Sequence, residues 1–266
     1  MNYIDAHAHV FSHEANFLST ARYIPDYTAS IEDYIRYLDL NGFSKGVLVQ
    51  PSFYGTDNSC MLAAISNYPE RLKGIAVLDN DTSIATLKHL DEQGIVGVRL
   101  NLFGLSCPNL SEPKWQQFLK NVATMGWQVE IHAPVDYLVK LLPLLTQYSI
   151  DIVIDHFGRF DNKLGVEDLN YGRFLEILDP SQHWVKVSAY YRLDNKLSIQ
   201  NAVDAFELLK NHNMEDRLIW GSDWPHTQYE SKMTFYKAFS DFKKIVNNKT
   251  LMNKILTQNN AHLFNS

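Results

Sequence analysis

Cysteine is nearly missing: Cys60 and Cys107 are the only two in 266 residues, and they stand in unrelated contexts. That excludes a disulfide framework and a cysteine-built zinc site, and leaves two structural thiols. Long apolar runs are missing too, since no stretch approaches the ~20 residues of a membrane-spanning helix. The start, MNYIDAHAHV, lacks the basic region and apolar segment of a secretory leader, so the expectation is a soluble cytoplasmic protein with no membrane partner. No basic stripe interrupts a formal net charge of −6, which argues against nucleic acid as a partner. An anionic small molecule would therefore need local arginines. No glycine-rich GxGxxG turn follows the first apolar run, and no linker, low-complexity tract or repeat divides the chain.

What the chain does have is 45% hydrophobic residues and a length that buries one large core, so residues 1–266 read as a single domain. Short apolar, β-branched runs alternate with longer amphipathic stretches from end to end. Eight such runs are present: Tyr3–His9, Lys45–Gln50, Leu72–Leu78, Val96–Leu102, Trp127–His132, Asp151–His156, Trp184–Ala189 and Arg217–Asp223. Helix-like segments between them include Ile31–Asn41, Ile84–Gln93, Pro113–Met125, Tyr137–Tyr148, Asn201–Asn211 and Met233–Asn247. Gly42, Gly94 and Gly126 stand where a left-handed residue closes a helix. Several runs, such as Gly46-Val47-Leu48-Val49, are apolar on both faces, as strands covered by helices must be. The pattern predicts an α/β fold of the (β/α)8 TIM-barrel type, with the stretch from Thr250 onward as a cap. An open doubly wound sheet is the alternative, and the missing phosphate turn counts against it.

In such a barrel the chemistry gathers at the C-terminal ends of the strands. His7 and His9 are two apart, so on a strand they share a face, although in a chain with 10 histidines the pair alone is weak. The other strand ends add Gln50 and Ser52, Arg99 and Asn101, His132, Asp155 and His156, Ser188 and Arg192, and Asp223 and His226. Half of all the histidines thus fall at one rim. Arg99 lies among apolar residues, where an unpaired charge is expensive, so it must meet either a substrate carboxylate or an internal acid. Arg192 is a second candidate anion contact or a solvated loop arginine, and Ser52 either donates to a substrate oxygen or stabilises the turn at Pro51. Tyr190, Tyr191 and Trp224 are expected to wall the pocket. Lys186 reads as a lysine of the barrel bottom with no catalytic role.

These residues resemble a known family. Asp5-x-His7-x-His9 on the first strand, His132 on the fifth, Asp155-His156-Phe157-Gly158 on the sixth and Gly221-Ser222-Asp223-Trp224-Pro225-His226 on the eighth are similar to the amidohydrolase superfamily, in the expected order over essentially the whole chain. Val49-Gln50-Pro51-Ser52 and Asp57-Asn58 are closest to its amidohydrolase-2 branch, which contains 2-pyrone-4,6-dicarboxylate lactonase and sugar lactonases. The resemblance implies a hydrolase that opens a carboxylated or polyhydroxylated lactone by water attack on the ester carbonyl, with Asp223 as general base. It further implies His7, His9 and His156 around the reacting water, and Arg99, Ser52, His132 and Arg192 as substrate contacts. The partner is then a small molecule, and homo-oligomerisation is left open.

The likeness departs from family patterns at two places. Binuclear members carry a bridging lysine at the end of the fourth strand, and Val96–Phe103 contains none, so a two-metal centre is not expected. Dicarboxylate lactonases carry a further arginine after the fourth strand and a tyrosine on the fifth, where Gly104-Leu105 and His132 stand here, so the pyrone dicarboxylate is not carried over as the substrate. No cofactor is expected to be required. The alternative is one divalent cation, zinc or manganese, on His7, His9 and Asp223 with His132 or His156. Two rival readings are a metal-dependent decarboxylase of the same family and a catalytically silent barrel that binds a metabolite.

Overall fold

Eight short strands pair in parallel in the order of the chain: β1 (Tyr3–Ala8), β2 (Phe43–Val49), β3 (Leu72–Ala76), β4 (Ile95–Asn101), β5 (Gln128–His132), β6 (Ile152–Ile154), β7 (His183–Lys186) and β8 (Leu218–Ile219). The computed structural model describes residues 2–193 and 199–264. Main-chain bonds from Ala6 N to Trp220 O, Asp223 N to His7 O and His9 N to Trp224 O bring the last strand back to the first and close the barrel. Gly221 makes that closure possible, because a Cβ there would fall 2.3 Å from the His7 nitrogen. Both faces of the strands are covered: all six residues of β1 are buried.

The helices α1 (Ile31–Asn41), α2 (Ser59–Asn67), α3 (Ile84–Glu92), α4 (Pro113–Met125), α5 (Val135–Leu145), α6 (Leu169–Glu176), α7 (Gln200–Asn211) and α8 (Phe235–Val246) surround it. Helix α1 shows why they form where they do. Ser30 caps its start by accepting from Asp33 N, Tyr34, Ile35 and Leu38 make its buried face, and Gly42 ends it at φ +77°. Helices α2 and α6 were not among the expected segments, being short and bounded by turns.

At the N-terminal end of the barrel, α9 (Lys249–Lys254) and α10 (Asn260–Phe264) form the expected cap. Phe264 packs with Ile4, Val47, Val49, Ile75 and Val96, and Leu263 with Ala6, Val153, Trp184 and Ile219. The Asn260 amide ties the plug to the first and last strands by donating to the Ile4 and Trp220 carbonyls at 2.6 and 2.8 Å. At the opposite end strands six to eight stop short of the expected ranges. Here His156 (φ +50°), Phe157 (+59°), Ala189 (+51°) and Asp223 (+58°) turn into the left-handed region, which breaks the ladder and brings His156 and Asp223 to the mouth. Among the described residues, no helix is long and apolar enough to cross a membrane.

Candidate active site

Asp5 builds the junction on which the site stands. Its carboxylate accepts from Ser222 N at 2.7 Å, Ser222 Oγ at 2.6 Å, His7 N at 3.2 Å and Tyr34 Oη at 3.1 Å. Burial pushes its pKa up to about 6 in spite of those bonds. Tyr34 reaches it because Gly46 has no side chain, a Cβ there falling 2.2 Å from the tyrosine oxygen. The junction fixes the first-strand histidines against Asp223.

Asp223 uses its two oxygens differently. Oδ2 accepts from Tyr191 Oη at 2.5 Å and Arg192 Nε at 2.8 Å. Oδ1 faces His7 Nε2 and His9 Nε2, each at 3.7 Å, and His156 Nε2 at 3.9 Å. Burial alone would raise the pKa of this carboxyl, but Arg192 and the surrounding histidines hold it well below the usual carboxylate range. His156 and His132 are held well below the ordinary histidine range, chiefly by burial, and His9 is lowered for the same reason. At neutral pH these rings are therefore neutral beside an ionised aspartate.

Under the rings lies a layer of buried charge. Arg99 Nη2 pairs with Asp155 Oδ2 at 2.8 Å, and Lys186 pairs with Glu130 and, at 3.3 Å, with Asp155. The internal acid, one of the two partners expected for Arg99, is thus present, while the same side chain also lines the cavity above. Lys186 is not at the barrel bottom: its Nζ stands 2.8 Å from His7 Nδ1. Burial and Lys186 work to lower the His7 pKa, but Asp155 and Glu130 carry the balance upward.

A cavity of about 220 Å³ opens over this floor. Of the expected residues, His9, Ser52, Arg99, His132, His156, Arg192 and Asp223 line it. His7 does not; it is fully buried and stands behind the lining residues His9, 3.2 Å away between the two Nε2 atoms, and Asp223. His226 is also off the lining and bonds Tyr191 Oη at 3.0 Å. The expected aromatic walls are corrected as well. Tyr191 serves Asp223, Tyr190 bonds Asp241 at 2.6 Å, and Trp224 stacks on Tyr34, so Tyr23, Phe53, Phe103 and Tyr229 wall the cavity instead. Arg192 is not a solvated loop residue, since it is half-buried and bound to Asp223.

Two further arginines, which no motif of the sequence marks, complete the lining. Arg159 lines the cavity with its guanidinium 4.3 Å over the Phe103 ring, its Nε is buried without a hydrogen-bond partner, and burial lowers its pKa to about 10. Arg22 enters from the long segment after β1, with Nη1 only 2.7 Å from where a Cβ on Gly104 would lie. Four arginines thus face one carboxylate across the cavity, the opposite sign to the chain as a whole. Placement beside Asp-His-Phe-Gly was the available signal for Arg159; nothing marked Arg22.

The cluster also has the spacing of a single-ion site. The ligand atoms of His7, His9 and Asp223 lie within 4.8 Å of one another, as do those of His7, Asp155 and His156. Separations of 3.2 and 3.7 Å within the first set compare with roughly 3.4 Å between ligands about 2.1 Å from a tetrahedral zinc.

The amidohydrolase family description matches residues 4–265, and the chain belongs to that family. Over 98% of its length it is 28% identical to the 2-pyrone-4,6-dicarboxylate hydrolase of Comamonas testosteroni, covering 89% of that protein. A 4-sulfomuconolactone hydrolase of Rhizobium radiobacter is similar to the same degree, 28% over 98% of this chain and 89% of its own. The crystal structure of an Acinetobacter baumannii protein, described as a probable 2-pyrone-4,6-dicarboxylic acid hydrolase with citric acid bound, superposes with a TM-score of 0.98 at 53% identity, covering all of both chains.

Proposed function

We propose that this chain opens a small lactone bearing at least one carboxylate, by attack of water on the ring ester carbonyl, with Asp223 as the general base. The observation that carries this is the division of labour on Asp223: Oδ2 is tied to Tyr191 and Arg192, which leaves Oδ1 free beside three imidazoles inside an arginine-lined cavity.

In this reading the substrate carboxylate lies against Arg159 and Arg22, whose guanidinium forks match its two oxygens. The ester carbonyl points to the floor at His156 and Arg99. Water held at Asp223 Oδ1 gives up a proton as its oxygen bonds to the carbonyl carbon. His156 and Arg99 steady the oxyanion, a stabilisation that matters most where water is excluded. The ring C–O bond then breaks, the proton passes from Asp223 to the leaving oxygen, and the new carboxylic acid ionises. Its relatives being named for lactones supports the ester as the bond attacked. The arginine lining favours a carboxylated ring over a polyhydroxylated one.

We place no metal in this sequence of steps, because a lactone is an activated ester and the arginines and histidines supply the charge stabilisation. A divalent ion on His7, His9 and Asp223, when bound, would lower the pKa of water there. The test is a comparison of lactones with and without carboxylates, 2-pyrone-4,6-dicarboxylate included, on the native protein and on Arg159→Met. A charge-assisted contact is worth about 1.5–3 kcal/mol, so KM for carboxylated rings should rise roughly 10- to 100-fold in the variant. If uncharged lactones are affected equally, Arg159 does not read the carboxylate.

A further inference from the structure

Lys186 is 1% exposed, and the ammonium it carries is committed to Glu130 and Asp155, which Arg99 also engages. Two cations and two carboxylates therefore balance in the barrel interior without His7. The contact from Lys186 Nζ to His7 Nδ1, at 2.8 Å, is additional to that balance and has a directional consequence. An ammonium only donates, so His7 Nδ1 presents its lone pair and the ring proton sits on Nε2.

The other histidine is fixed independently from the opposite side. His9 Nδ1 is 2.7 Å from the Val49 carbonyl oxygen, which only accepts, so His9 carries its hydrogen on Nδ1 and offers the lone pair of Nε2. The two Nε2 atoms are 3.2 Å apart, and the two constraints agree: His7 donates and His9 accepts. The same holds if His7 takes up a second proton, since Nε2 bears hydrogen in both charge states. A shared metal ion needs both Nε2 lone pairs. To supply the second, His7 would have to move its hydrogen to Nδ1 and aim it at Glu130 or Asp155, 3.4 and 3.5 Å away, against the ammonium.

We infer that Lys186 is a positioning residue that holds His7 in its Nε2–H form, so that the His7–His9 pair binds a proton between its rings in preference to a divalent cation. In metal centres the ring nitrogen behind a histidine ligand donates to a carboxylate or carbonyl. Here the carboxylates are present and the lysine stands in front of them. The inference deepens the metal-free reading of the site and rests on it only for its relevance to turnover; its own readouts do not involve activity.

The experiment uses full-length protein labelled with 15N at histidine. Long-range 1H–15N correlation distinguishes protonated from bare ring nitrogens, and the His7 signals are assigned by their loss in His7→Gln. In the native protein His7 Nε2 should be protonated and Nδ1 bare. In the double variant Lys186→Met, Glu130→Gln, which removes one charge of each sign and spares the core an unpaired carboxylate, the hydrogen should move to Nδ1 facing Asp155. Zinc affinity by titration calorimetry should then rise about 10- to 100-fold, the range that partners behind a ligand command. A bare Nε2 on His7 in the native protein, or unchanged zinc affinity in a variant whose circular dichroism is native, overturns the inference. If the variant does not fold, the native spectrum alone decides.

Discussion

The two ends of this barrel are built from the same eight strands and differ in almost every physical respect. At the N-terminal end, Phe264 and Leu263 enter an apolar interior, and Asn260 satisfies the main-chain groups of the first and last strands. At the C-terminal end, His156, Phe157, Arg159, Ala189, Asp223 and His226 all hold positive φ, buried charges stand in layers, and His132 Nε2 and Arg159 Nε lack hydrogen-bond partners. One end gains free energy by excluding water and pairing the main-chain groups of the first and last strands. The other gives some of it up to hold side chains where a reacting molecule can use them.

Substitutions should therefore separate the two ends. The largest effect is expected at the plug: Phe264→Ala leaves a void among Ile4, Val47, Val49, Ile75 and Val96 and should destabilise by about 3–5 kcal/mol. Denaturant unfolding measures it, and KM should not move while the protein is folded. Next is Asp223→Asn, which should lower kcat by at least ~100-fold, the low end for a lost general base. The amide oxygen keeps an acceptor for Tyr191, so the melting temperature should stay close to native. A variant retaining a tenth of native turnover would remove Asp223 from the chemistry, and one that unfolds would erase the contrast between the ends.

Acid should weaken the mouth before the plug. His226 is lowered to about 4, and His9, His132 and His156 are lowered as well, burial being the main cause in each. Below their unfolded pKa of about 6.5 the unfolded chain binds protons that the folded one refuses, so the stability present above that pH is lost as pH falls. Asp5, raised to about 6, and His7, also raised, act in the opposite sense, but they are outnumbered. The melting temperature should drop between pH 7 and pH 5; a rise would mean that these rings are not buried as neutral groups. The smallest effect is expected for Tyr34→Phe, which deletes one bond to Asp5 and should cost about 1 kcal/mol, read from the shift of the unfolding midpoint.

The same contrast explains what could be read from the chain. The barrel was legible because a strand covered on both faces must be apolar throughout, and runs such as Ile152–Ile154 have no other place to go. Where the strands end was not legible. Left-handed turns at His156, Ala189 and Asp223 are imposed by the closing of the barrel and not by local preference. Asp223 and the histidines could be found because the motifs that carry them are short and ordered. Arg159 and Arg22 could not, since a loop arginine resembles a solvated one until Phe103 or Gly104 is seen beside it. Lys186 did carry a signal. A charge inside Trp184-Val185-Lys186-Val187 needs a buried partner as surely as Arg99 does, and the same argument was open to both.

Everything proposed for this mouth rests on hydrolysis of the ester bond of a carboxylated lactone. A pH-stat assay on metal-analysed protein tests it most directly, with 2-pyrone-4,6-dicarboxylate and its uncharged analogues as substrates and evolved carbon dioxide measured in parallel. Expected are one proton released for each ring opened, no carbon dioxide, rates that survive chelation, and a loss of at least ~100-fold in Asp223→Asn. Release of carbon dioxide with the ester intact, or activity that disappears on chelation and returns with zinc or manganese, would contradict it.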